Sequence, residues 1–256
     1  MIKSIKNKIA IVTGAGSGIG RAVALALLKE KVSVFLVGRK LKNINDTKKL
    51  SSKKGYKGKA IVFKCDVSKE LNVKKLFKEV YKNRKRIDLL FNNAGIGLKP
   101  NSIDKISYKE WKKVIDININ GMFLCAKYTY SLMKNQKPKG GRIINNGSIS
   151  AFSPRPGTAA YTTSKHAISG LTKAISLDGR KDSIICSQID IGNAETELTT
   201  TFKDGVIQAS GIKVAEPVFD VEYVANTIIH IFKLPLNTNI LSTTIMASNM
   251  PFVGRG

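Results

Sequence analysis

The fold class predicted by this sequence is α/β: a mostly parallel sheet with helices on both of its faces. Three observations predict it. Strand-length apolar runs alternate with longer amphipathic segments along the chain, the pattern of strands joined by helical crossovers. The first run leads directly into a glycine-rich turn that opens an apolar-periodic helix. The length, 256 residues, allows a large core within a single domain spanning 1–256, because open α/β sheets often reach this size.

The elements follow in order. Residues 8–13 (KIAIVT) read as a buried strand, followed by GAGSGIG and the helix RAVALALLKE. Next come a strand at 32–37, a lysine-rich helix around 42–52, a strand at 60–64, a helix around 69–82 and a strand at 87–91. Two helices, 107–118 and 121–135, precede a strand at 141–147 and a helix that carries Tyr161. A strand at 183–190, an irregular or helical stretch at 194–210, a helix at 221–233 and a last strand at 240–246 complete the chain. Strands separated by helices imply a parallel sheet covered on both faces, here a doubly wound Rossmann fold of seven strands. The Pro-Gly-rich loop 153–157 (SPRPG) sits where it re-aims the chain across the carboxyl edge of the sheet. Segment 192–217, with Thr199, Thr200, Thr201, Gly205 and Gly211 and little periodicity, is the candidate for a substrate lid, and a plain surface loop fits nearly as well.

Composition narrows the class. With 43% hydrophobic and 24% charged residues the chain has the make-up of a globular domain, and no apolar run approaches the roughly 20 residues of a membrane span. The N-terminal MIKSIKNKIAIVTGAG leaves no room for a cleavable signal peptide, so a cytoplasmic location is expected. Cys65, Cys125 and Cys186 form no C-x-x-C pair and are expected to be reduced packing residues. His166 and His230 lack an acidic cluster, so no metal site is expected.

The formal charge is +25, unevenly spread: residues 1–86 hold 24 Lys and Arg against 5 Asp and Glu. Two readings stand: lysine-rich solvated helix faces, or a positive half that steers polyphosphate ligands. Charge alone supports only weak, sequence-independent nucleic-acid binding, so no specific nucleic-acid partner is expected.

Four groups of residues carry chemistry. In Thr13-Gly14-Ala15-Gly16-Ser17-Gly18-Ile19-Gly20, the glycines let the backbone turn tightly and approach a pyrophosphate at the N-terminus of the following helix. At the end of the second strand, where an acid would bind the ribose hydroxyls of NAD, stand Gly38-Arg39-Lys40; the two cations suit the additional phosphate of NADP, with NAD the alternative. They also fit simply as the start of the basic helix. Tyr161 and Lys165 lie four residues apart with no helix breaker between them, so both project from one helix face. An ammonium beside a phenol stabilises phenolate and lets it exchange a proton. Ser148, thirteen positions before Tyr161 and just past the apolar Ile143-Ile144, places a hydroxyl within range of the phenol.

Taken together, TGAGSGIG at 13–20, Asp66-Val67, Asn92-Asn93-Ala94-Gly95, Asn118 in NING, Ser148, Tyr161 and Lys165 resemble the short-chain dehydrogenase/reductase family over nearly the whole length. The resemblance implies that Asp66 and Val67 hold the adenine and that Asn92 to Gly95 line the ribose side. It implies that Tyr161 is the acid/base, that Ser148 hydrogen-bonds the substrate oxygen and that Lys165 binds the nicotinamide ribose while favouring the ionised tyrosine. Asn118 would hold a proton-relay water beside Lys165. It further implies a small-molecule carbonyl or alcohol substrate, no membrane partner and a homodimer or homotetramer, with helices at 107–135 and 158–177 as interface candidates.

Two departures stand out. Ile191-Gly192 replaces the family's frequent Pro-Gly pair, which weakens the expected contacts of Ile191, Gly192 and Thr196 with the nicotinamide amide or phosphates. The tail with Met246, Met250, Pro251 and Phe252 covers a subunit contact, the pocket or its own domain. Arg155 meets an anionic substrate group or, the favoured expectation, lies on the surface. A catalytically idle dinucleotide sensor is the competing function; the intact proton-transfer set argues against it.

Overall fold

The computed structural model describes residues 3–196, 199, 202 and 204–253. Strand β1 (Ile9–Thr13) leads into helix α1 (Gly18–Lys29), and β2 (Ser33–Gly38), α2 (Leu41–Lys53), β3 (Ala60–Lys64) and α3 (Glu70–Arg84) complete the first half. The second half runs through β4 (Leu89–Asn92), α4 (Tyr108–Ile115), α5 (Met122–Asn135), β5 (Gly141–Asn146), α6 (Ala159–Asp178) and β6 (Ile184–Ile191). A short antiparallel hairpin, β7 (Val206–Ile207) with β8 (Lys213–Val214), then precedes α7 (Val221–Lys233) and β9 (Ser242–Ile245).

Seven strands form one sheet in the order β3-β2-β1-β4-β5-β6-β9, and every described pairing within it is parallel. Successive residues of a strand face opposite sides, and β1 shows the consequence. Ala10 and Val12 pack with Val23, Leu27 and Leu28 of α1 and Val224, Ile228 and Ile231 of α7. Ile9 and Ile11 pack on the other side with Val73, Leu76 and Val80 of α3 and Cys125 and Met133 of α5. Helices therefore cover both faces, and this is why the strands are apolar almost throughout. The strand order reverses between β1 and β4, which opens a crevice at their carboxyl ends.

Two elements differ from the sequence expectation. The break foreseen between 118 and 121 is a π-helical turn, Asp116–Gly121, that joins α4 and α5 into one helical run. The 194–210 stretch contains the strand β7. Cys65, Cys125 and Cys186 are buried and unpaired, and no described helix is long and apolar enough to cross a membrane.

Candidate active site

The glycine turn after β1 is held open from three sides. Thr13 Oγ1 accepts from the backbone N–H of Asn93 at 2.8 Å and of Ala94 at 2.9 Å, which fixes the loop after β4 against it. The Arg21 guanidinium donates to Gly16 O and, at 3.2 Å, to Thr47 Oγ1, which in turn donates to Ala15 O. Gly14 and Gly18 adopt φ of +69° and +47°, the left-handed region that glycine enters without steric cost. A Cβ on Gly20 would stand 2.2 Å from Gly14 O, so the turn closes only without side chains. Ser17 precedes α1 with no side-chain cap, leaving the first N–H groups of the helix to an anion. Thr196 borders the same turn: a Cβ on Gly18 would meet its methyl at 3.2 Å.

Arg39 and Lys40 are exposed where β2 ends and α2 begins. Asp66, past β3, accepts from Ser68 N at 3.1 Å and from Ser68 Oγ at 2.8 Å. Val67 is buried against Gly121, where a Cβ would clash with its Cγ2 at 2.7 Å. The side chains of Asn92 and Asn93 are committed to the protein. Asn92 Nδ2 donates to Met122 O and Asn145 Oδ1; Asn93 Nδ2 donates to Thr13 O, and its Oδ1 accepts from Asn146 Nδ2.

Tyr161 and Lys165 share one face of α6, with the Lys165 ammonium 5.4 Å from the centroid of the Tyr161 ring. Lys165 is 3% exposed, and its Nζ donates to the carbonyl of Asn146 at 2.8 Å. That carbonyl belongs to the last residue of β5, two positions before Ser148. Ser148 opens a short turn, Ile149–Ala151, where its Oγ accepts from Ser150 N at 3.1 Å. This turn packs against α6.

Asn118 lies inside the π-helical turn, fully buried. An additional residue in one helical turn re-aims side chains, and such turns recur at functional sites. Its Oδ1 accepts from Ile96 N, and its Nδ2 donates to Ile96 O and, at 3.0 Å, to Ser164 Oγ. The Asn118 side chain thus makes three protein hydrogen bonds, pinning the loop after β4 to α6.

One expectation is corrected. Arg155 is not a surface residue: its guanidinium donates to Asn193 Oδ1 and to Glu216 Oε2, with side-chain exposures of 16% for Arg155 and 0% for Glu216. It also lies 4.9 Å over the Phe202 ring. Burial alone would raise the Glu216 carboxyl, yet hydrogen bonds from Asn193 and Gln208 together with Arg155 hold it below its ordinary value. Where the family frequently has Pro-Gly, Ile191 continues β6 in register with Ile245 and Gly192 N–H donates to Ile245 O at 2.8 Å, so the sheet extends through this position. The tail packs on its own domain, Met246, Met250 and Phe252 clustering with Ile149. Thr200 and Thr201 of the 192–217 segment lie outside the described residues.

Two acids went unnoticed in the sequence, Glu216 and Asp190. Asp190 is fully buried in β6, and its signal was an acid inside a strand otherwise read as core.

The family model for short chain dehydrogenases matches residues 8–206. A 3beta-hydroxysteroid dehydrogenase of Mediterraneibacter gnavus is 40% identical over 193 residues, 75% of this chain and 68% of that protein. A cyclohexanol dehydrogenase of Acinetobacter is 31% identical over 80% of each. Among solved structures, L-sorbose reductase from Gluconobacter frateurii, complexed with NADPH and L-sorbose, superposes with a TM-score of 0.84 at 22% identity, covering 96% of this chain and 97% of that one.

Proposed function

We propose a hydride-transfer function from one premise: this chain belongs to the short-chain dehydrogenase/reductase family. It is an oxidoreductase acting on alcohol and carbonyl groups with a nicotinamide cofactor. The observation that carries the assignment of roles is the buried Lys165 ammonium, bonded to the Asn146 carbonyl beneath the Tyr161 ring, two residues from Ser148.

The residues present fit such a cofactor. The side-chain-free turn at Gly14, Gly16, Gly18, Ile19 and Gly20, with the uncapped N-terminus at Ser17, suits the pyrophosphate. Asp66 and Val67 hold the adenine, the backbone from Asn92 to Gly95 lines the ribose side, and Ile191, Gly192 and Thr196 flank the nicotinamide end. Arg39 and Lys40, with no carboxylate beside them, favour NADP over NAD through its additional phosphate. When bound, the nicotinamide supplies or accepts the hydride.

The protein's own groups handle the oxygen and its proton. As negative charge develops on a carbonyl oxygen, the Ser148 hydroxyl and the Tyr161 phenol donate to it, and Tyr161 gives up its proton. Lys165 stabilises the resulting phenolate and binds the nicotinamide ribose. Asn118 keeps the loop after β4 and α6 in register. Alcohol oxidation runs the same steps in reverse. Two of the named relatives are a 3beta-hydroxysteroid dehydrogenase and a cyclohexanol dehydrogenase, which makes a cyclic secondary alcohol or its ketone the first substrate class to examine. The chain works in the cytoplasm as a homodimer or homotetramer.

The test is a panel of ketones, acyl thioesters, sugars and steroids followed by NADPH absorbance, on wild type and Tyr161→Phe. Turnover in the variant should fall by about 10²–10⁴-fold with cofactor affinity nearly unchanged. Full activity in Tyr161→Phe would remove the phenol from the mechanism.

A further inference from the structure

We propose that Asp190 is a positioning residue of this active site, its buried carboxylate fixing Ser148 through the backbone and countering the charge of Lys165. The inference rests on the reading of Ser148, Tyr161 and Lys165 given above.

The geometry lies in one three-residue segment at the end of β5. Its first carbonyl, Asn146 O, accepts from the Lys165 ammonium at 2.8 Å, and its last N–H, Ser148 N, donates to Asp190 Oδ1 at 2.9 Å. The segment that presents the serine is therefore bonded to a cation at one end and to an acid at the other. Gly147 between them lies so close to the acid that a Cβ there would stand 2.1 Å from Asp190 Oδ1 and 2.8 Å from Gln188 Nε2. Only glycine lets the backbone rest on the carboxylate.

The surroundings of Asp190 are those of an ionised group. Oδ1 also accepts from Gln188 Nε2 at 2.8 Å, and Oδ2 accepts from Ser242 Oγ at 3.3 Å. All three partners are donors, as an acceptor-only carboxylate requires. The charged group that acts on it is Lys165 of α6; Gln188 on β6, Ser148 past β5 and Ser242 on β9 are neutral. Burial raises the Asp190 carboxyl above its ordinary value, while these hydrogen bonds and the Lys165 charge pull the other way. Lys165 forms no salt bridge among the described residues. A carboxylate removed from contact by one peptide segment leaves the ammonium free to serve the tyrosine while limiting its uncompensated charge.

Asp190→Asn isolates the charge. The amide oxygen still accepts from Ser148 and Gln188, and the amide nitrogen can donate to Ser242 Oγ, so shape and hydrogen bonds are kept. The variant should fold with a Tm close to that of wild type, since its hydrogen bonds are kept, and should bind NADPH normally. Reduction of the panel's ketones, cyclohexanone first, should lose about 10- to 100-fold in kcat. The base-side loss of turnover should move to lower pH, because the positive charge of Lys165 in the site is then uncountered. A merely structural residue would not move that limb. Wild-type kcat with a superimposable pH profile would overturn the proposal. Asp190→Ser is the second variant, and failure of both to fold or to bind NADPH would assign Asp190 to folding alone and overturn it equally. Tyr161→Phe run alongside separates the levels: turnover surviving there defeats the reading of the site, whereas an inactive Tyr161→Phe beside an unaffected Asp190→Asn defeats only the role of Asp190.

Discussion

Replacing Arg155 with methionine tests whether the segment after β6 is held to the loop that follows Ser148. In wild type, Glu216 is fully enclosed, its Oε2 accepting from Arg155 and, at 2.7 Å, from Asn193 Nδ2, and its Oε1 from Gln208 Nε2 at 2.8 Å. Removing one partner of a buried pair costs about 3–5 kcal/mol, mostly for the charge left behind. Here Asn193 and Gln208 still donate to that charge, so about 2–3 kcal/mol is expected. For a chain of this size that lowers Tm by roughly 5–10 °C. Glu216→Gln in the Arg155→Met background removes the stranded charge and should restore about 1–2 kcal/mol, a coupling that a double-mutant cycle in urea measures. The sign with pH follows from the lowered Glu216 carboxyl. The stabilisation is complete above the ordinary glutamate value of 4.5 and fades as pH falls through the lower folded value, so the gap between wild type and variant narrows in acid. Because the pair joins the loop after Ser148 to the 192–217 segment, substrate KM should rise as well. Strictly additive losses, each below about 0.5 kcal/mol, would refute the clasp.

Two further outcomes are expected. Arg39→Asp should weaken NADPH binding by about tenfold or more while changing NADH binding far less, since a carboxylate repels the additional phosphate; an unaltered preference by fluorescence titration would show that Arg39 does not read it. Burial pushes the Cys65 and Cys186 thiols up to about 12, so neither should react with iodoacetamide at pH 8 in the folded protein, and the first labelling seen by mass spectrometry should coincide with unfolding. Rapid modification of either in the native state would contradict their packing.

Much of the fold was legible because strand and helix periods are local. The helix at 221–233 and the strand at 60–64 were read with the bounds they have, and the glycine turn announced itself by standing between an apolar strand and an amphipathic helix. The π-helical turn escaped because nothing local in DINING distinguishes an inserted residue from a break; burial of Asn118 against Ile96 and Ser164 selects it.

At the site, the sequence by itself determined which residue types stand where a phosphate, a phenol and an ammonium are needed: Gly14 to Gly20, Tyr161 and Lys165 follow from the spacing of one turn or one helix face. Tertiary structure alone decided what those groups lean on. Asn146 O meets Lys165 across 19 residues, Ser148 N meets Asp190 across 42 and Arg155 meets Glu216 across 61. Such pairings depend on which strands become neighbours, and β5 is placed beside β6 by the burial of both faces of the sheet, a property of the whole chain that no local window contains.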